Sequence, residues 1–110
     1  VYMTTILVDE RKETLRMELS GHANYGQIGA DVVCAGISTL VGAWIQYCYD
    51  NDVEIINDDM SDPGYADIYV KDYGRERKAF SVIITGLELL EKTYPKNVHL
   101  IRGEIKKDIF

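Results

Sequence analysis

A chain of 110 residues is the size of one ordinary domain, and with 46% hydrophobic and 27% charged residues it has the balance of a globular body. Twelve Lys and Arg against 18 Asp and Glu leave a net charge of −6 and a pI near 4.8, the wrong sign for a phosphate-binding surface, so no direct nucleic-acid ligand is expected. The longest apolar stretch, Val32 to Cys48, is interrupted by Ser38, Thr39 and Gln46 and falls short of the ~20 residues that span a bilayer, which predicts a core helix and no membrane partner.

Tyr2 to Glu10 and Thr14 to Ser20 read as two strands around the polar turn Arg11-Lys12-Glu13, the second alternating Leu15, Met17 and Leu19 with Arg16, Glu18 and Ser20. Gly21 to Gly29 follows, with three glycines in nine residues, and is expected to be an irregular loop. From Asp31 to Asn51 the spacing turns helical, with Val33, Ile37, Leu40, Trp44 and Tyr47 on one stripe and Ala35, Gly36, Gly42 and Ala43 offering close packing.

Val53 to Asp58 and Tyr65 to Asp72 form a second predicted hairpin across Ser61-Asp62-Pro63-Gly64. A second amphipathic helix is expected from Arg75 to Tyr94, closed by Pro95, and Val98 to Ile101 is a candidate short terminal strand. The order ββαββα predicts an α+β two-layer sandwich: a mainly antiparallel four-stranded sheet with both helices on one face, in a single domain over 1–110.

Cys34 and Cys48 lie fourteen positions apart on the first predicted helix, roughly 21 Å along its axis, whereas a disulfide needs Cα atoms within about 7 Å. Two free thiols fit a reducing compartment, and no basic run followed by an apolar segment marks a secretory leader, so a cytoplasmic protein is expected.

His22 at the end of the first hairpin and Cys34 at the opening of the helix stand at opposite ends of one short loop. A helix's first turn has unpaired N–H groups and a partial positive charge, which favour a thiolate and could hold an oxyanion. An imidazole there could take the thiol proton and return it to a leaving amine. The plainer alternative is a buried structural cysteine and a structural histidine.

Asp31 fits two roles: a helix N-cap accepting the Cys34 N–H, or a third group orienting His22. Ser38, one turn beyond Cys34, fits either a hydrogen bond to the thiolate or a tight helix contact. Gly21, Gly26 and Gly29 suit turns and equally a lid that closes on substrate. Cys48 reads as a core filler and His99 has no assigned role. Asp58, Asp59, Asp62 and Asp67 lack EF-hand spacing and read as a solvated turn; no zinc pattern occurs, so neither metal nor cofactor is expected.

The run Gly21-His22-Ala23, then Gly29-Ala30-Asp31-Val32-Val33-Cys34-Ala35-Gly36-Ile37-Ser38, resembles the Prp (YsxB-like) family of ribosomal-processing cysteine proteases. The resemblance implies a cysteine endopeptidase that removes the N-terminal extension of bacterial large-subunit ribosomal protein twenty-seven, with His22 and Cys34 as the catalytic dyad. It also implies a homodimer, a precursor peptide as substrate, and a substrate loop carrying Gly21, Ala23, Tyr25, Gly26 and Gly29. Two readings compete: a non-enzymatic ribosome-associated or peptide-binding module, and a redox or acyl-carrier thiol protein using Cys34 without His22.

Overall fold

The first strand, β1 (Thr4–Glu10), turns back through Arg11 N–H to Thr14 C=O at 2.9 Å into β2 (Thr14–Ser20), antiparallel with Ile6 opposite Leu19 and Val8 opposite Met17. The structure, a computed structural model, describes residues 3–21, 28–60 and 64–106, with the backbone alone over 28–31. Alternation sends Ile6, Val8, Leu15, Met17 and Leu19 into the core and leaves Asp9, Arg16 and Glu18 on the opposite face.

The chain then forms α1 (Ile28–Asp50), β3 (Ile55–Asp59), β4 (Tyr65–Lys71), α2 (Glu76–Thr93) and β5 (Val98–Arg102). The sheet order is β3-β4-β2-β1-β5. The two hairpins join through antiparallel β2 and β4, whereas β5 lies parallel to β1. The four-stranded sheet expected from sequence is therefore a five-stranded mixed one. The reason is α2, which returns the chain along the sheet and lets Val98 to Arg102 enter beside β1 in the same direction. The predicted turn at Ser61 to Pro63 lies outside the described residues.

The core joins Val33, Ile37, Val41, Trp44 and Cys48 of α1 and Phe80, Ile84 and Leu87 of α2 to the inner face of the sheet. Trp44 stacks on Tyr47 and meets Phe80 edge-on, ring centres 5.1 Å apart in the second pair. By length and composition Val32–Asp50 would suffice to cross a membrane, but its apolar stripe packs on the sheet, as expected of a core helix. Cys48 is a core residue, as its position suggested. Of the small residues expected to let the helices approach, Gly36 does so, facing Leu90, and Gly86 admits Leu40 reciprocally; Gly42 has open space around it.

α2 is held at its start by local bonds. Glu76 accepts the Tyr73 N–H at 2.6 Å, and Asp72 accepts the Gly74 N–H at 2.9 Å, which satisfies amides that the first helical turn cannot. Beyond β5 the chain folds over the end of β1: Gly103 N–H donates to Val8 C=O and Ile105 N–H to Asp9 Oδ2. Ile105 is buried.

Candidate active site

β2 ends at Ser20, paired with Tyr65 of β4, and Gly21 then takes a φ of 125° that favours glycine. A Cβ at Gly21 would lie 2.2 Å from the Met3 carbonyl oxygen, and its N–H donates to Gly64 C=O at 3.0 Å. The residue before His22 is thus fastened to the sheet on two sides. The six positions 22–27 then separate this anchor from Ile28, where α1 opens.

His22, Ala23, Tyr25 and Gly26 lie outside the described residues, and so does the side chain of Asp31. Gly29 is the second residue of α1. Because α1 starts at Ile28 rather than Asp31, two sequence expectations change. Asp31 is the fourth helical residue and not the N-cap, a position that requires non-helical backbone. Cys34 is the seventh, so its own N–H is not among the helix's free donors, which belong to the first turn, and the terminal field has largely decayed there. The predicted start went astray because the three glycines between 21 and 29 read as uniformly irregular, whereas Ile28, Gly29 and Ala30 are already helical.

Cys34 is a free thiol and only partly buried, on a flank of α1 that it shares by helical spacing with Ser38, Ile45 and Tyr49. Ser38, one turn on, is exposed and is not locked into a tight helix contact. At the far end of this flank the Tyr49 hydroxyl donates to Asp58 of β3 at 2.6 Å, so the flank faces the β3 side of the sheet. Cys48 lies on the buried face of the same helix. Burial, reinforced by the nearby Glu76 carboxylate, pushes its thiol up to about 12, which keeps it protonated and unreactive at neutral pH.

The acidic residues do not behave as one solvated turn. Asp67 is buried and takes two hydrogen bonds from Arg16, at 2.9 and 2.7 Å, and that bonding raises the Arg16 guanidinium above its ordinary value. The Arg16 guanidinium also lies 4.8 Å from the Tyr69 ring centre. Nearby, Tyr65 donates to Glu18 at 2.9 Å, on the strand that leads to Gly21. Sequence reasoning assigned nothing to Glu18 or Tyr65; their shared outward phase on β2 and β4 is the signal that was there to find. Among the described residues no group of His, Cys, Asp and Glu could hold a metal ion.

α1 thus carries one partly buried thiol, Cys34, and one fully buried thiol, Cys48.

The sequence profile of the cysteine protease Prp family matches residues 3–99, a span that contains both His22 and Cys34. No curated protein sequence matches the chain significantly. Among solved structures, the Staphylococcus aureus ribosomal processing protease Prp with a covalently linked product peptide superposes with a TM-score of 0.80 at 20% identity, over 92% of this chain and 100% of that one. The same enzyme with a substrate peptide gives 0.75 at 19% identity and equal coverage. SMU.848 from Streptococcus mutans gives 0.73 at 26% identity, over 92% and 96% of the two chains. These likenesses carry the fold, and the profile match carries the relationship: the chain belongs to the Prp family of cysteine proteases.

Proposed function

We propose that this protease removes the N-terminal extension of large-subunit ribosomal protein twenty-seven in the cytoplasm, with Cys34 as nucleophile and His22 as its base. The observation that carries the reading is the family match over 3–99, together with a partly exposed Cys34 thiol on α1. In this mechanism His22 takes the thiol proton and Cys34 Sγ bonds to the scissile carbonyl carbon. Collapse of the tetrahedral adduct breaks the C–N bond, with the proton passing to the departing amine. Water then hydrolyses the thioester and restores the thiol.

Asp31 and Ser38 are assigned supporting roles near this pair, and the segment from Gly21 through Ala23, Tyr25 and Gly26 to Gly29 is assigned to substrate. Its fixed start at Gly21 supports that assignment, since a lid needs a firm hinge. Neither a cofactor nor nucleic acid takes part. A basic ribosomal precursor suits an enzyme of net charge −6.

The active species is proposed to be a homodimer. A groove between the helices is lined by Ala35, Gly36, Thr39, Leu40, Gly86 and Leu89, with Val82 and Leu89 exposed beside it. Among the described residues no charged side chain lines it, so a pair of copies meeting there sets no like charges face to face in the groove itself. The test of the whole reading is the mass of purified precursor after incubation. Loss of the extension with the native protein, and an intact precursor with Cys34→Ala, is expected; full processing by Cys34→Ala contradicts it.

A further inference from the structure

Charge is divided along the chain. Residues 17–70 contain nine carboxylates and not one Lys or Arg, so all twelve basic side chains lie elsewhere. The sheet order turns this division into a spatial one. The last four residues of β2, all of α1 and β3, and β4 as far as Val70 come from the cation-free span, and in the order β3-β4-β2-β1-β5 they occupy one side of the molecule. β3 is the outermost strand of that side.

The two sheet edges differ accordingly. At the β5 edge Arg102 is neutralised by Glu10 and Glu88, at 2.9 and 3.3 Å. At the β3 edge Asp50, Asp52, Glu54 and Asp58 are exposed, with the Lys71 ammonium 4.0 Å from Glu54, and the outer side of β3 has no neighbouring strand among the described residues. Charges on an edge strand commonly serve to prevent edge-to-edge aggregation. One or two suffice for that, and they do not require a run free of Lys and Arg from Met17 to Val70.

The edge also stands on the side of Cys34. The flank of α1 that carries Cys34 ends at Tyr49, about 22 Å further along the axis, and the Tyr49 hydroxyl reaches Asp58 on β3, so an extended segment continuing from the β3 edge can reach back toward Cys34. Main-chain groups of an open edge recognise an extended peptide of any sequence, and the surrounding carboxylates select its charge. We infer that the outer edge of β3 takes up a basic, extended segment of the substrate as a sixth strand and so delivers the neighbouring peptide bond to Cys34. This rests on the proteolytic reading of Cys34. The basic segment is the part of a ribosomal protein that is built to meet RNA phosphates.

The test uses two peptides with the same cleavage sequence, one flanked by a Lys- and Arg-rich segment and one by a Ser- and Gln-rich segment. At about 50 mM salt the basic peptide should have a KM roughly tenfold lower with similar kcat, and most of that advantage should vanish at about 300 mM. Asp52→Asn/Glu54→Gln/Asp58→Asn should remove it. N-methylation of alternate backbone amides in the basic segment should weaken binding for one alternating set and spare the other, because a strand presents its amides alternately to two sides. Equal KM for both peptides at low salt, or indifference to both methylation sets, overturns the inference. If neither peptide is cut, the proteolytic reading fails separately, and the affinities of the same peptides for Cys34→Ala, read by fluorescence anisotropy, still decide the edge.

Discussion

The Gly21 amide donates to the Gly64 carbonyl at 3.0 Å, tying the residue before His22 to the return of the second hairpin. Both glycines have positive φ, 125° and 81°. The anchor therefore depends on two residues that tolerate a backbone most side chains do not. Gly21→Ala places a Cβ 2.2 Å from the Met3 carbonyl oxygen, and backbone cannot yield as a side-chain tip can. A loss of about 2 kcal/mol or more is expected in urea unfolding, with peptidase activity falling further than the folded fraction alone explains.

Arg16 and Asp67 form a two-bond ion pair that is nearly sealed from water. Removing one partner strands a buried charge, so Arg16→Met or Asp67→Leu should each cost about 3–5 kcal/mol. Arg16→Met/Asp67→Leu should cost less than either single change. Denaturant midpoints of the four proteins check this, and additive losses would contradict the pairing.

Gly86→Ala tests the helix contact, because the new Cβ would stand 2.8 Å from Leu40 Cδ2. The neighbour is the end of a flexible side chain, so a modest cost of about 1 kcal/mol is expected. Leu40→Val should recover part of it in the double variant, read as the shift in thermal midpoint.

Asp9 gives a pH dependence. Its burial works to raise the carboxyl pKa, but the Arg11 hydrogen bond, the Ile105 amide and the charges of Arg11 and Arg16 outweigh burial and hold it below the ordinary value of 3.8. A depressed folded-state pKa stabilises above the unfolded value and loses that stabilisation as pH falls through the folded one. Stability from this group should be constant from pH 7 to about 5 and decline below about 4. Asp9→Asn should be less stable at pH 7 and show a shallower acid transition; an identical transition would remove Asp9 as its source.

Much of this was readable from sequence for local reasons. A run rich in Thr, Val, Ile and Leu marked β1, alternation marked β2 and β4, and helical spacing marked α1 and α2. What was not readable depends on distant partners. Asp67 sat among Asp58, Asp59 and Asp62 as one more acidic residue until the fold brought Arg16 to it across 51 positions. β5 offered only Val98, Leu100 and Ile101 as apolar residues, too few to announce a parallel pairing with β1. The opening of α1 was obscured by Gly29, a residue that a helix accepts at a cost.

The central claim is that Cys34 is an activated nucleophile with His22 as its base, and the rate of thiol alkylation tests it most directly. Cys48, buried and pushed up to about 12, serves as the internal control. At pH 6 to 7 a small alkylating agent should modify Cys34 well before Cys48 in the folded protein, counted by mass after digestion. His22→Ala should slow the Cys34 reaction markedly at that pH. A redox or acyl-carrier thiol would keep its rate after that substitution. Equal labelling of the two cysteines, or a Cys34 rate untouched by His22→Ala, would contradict the dyad.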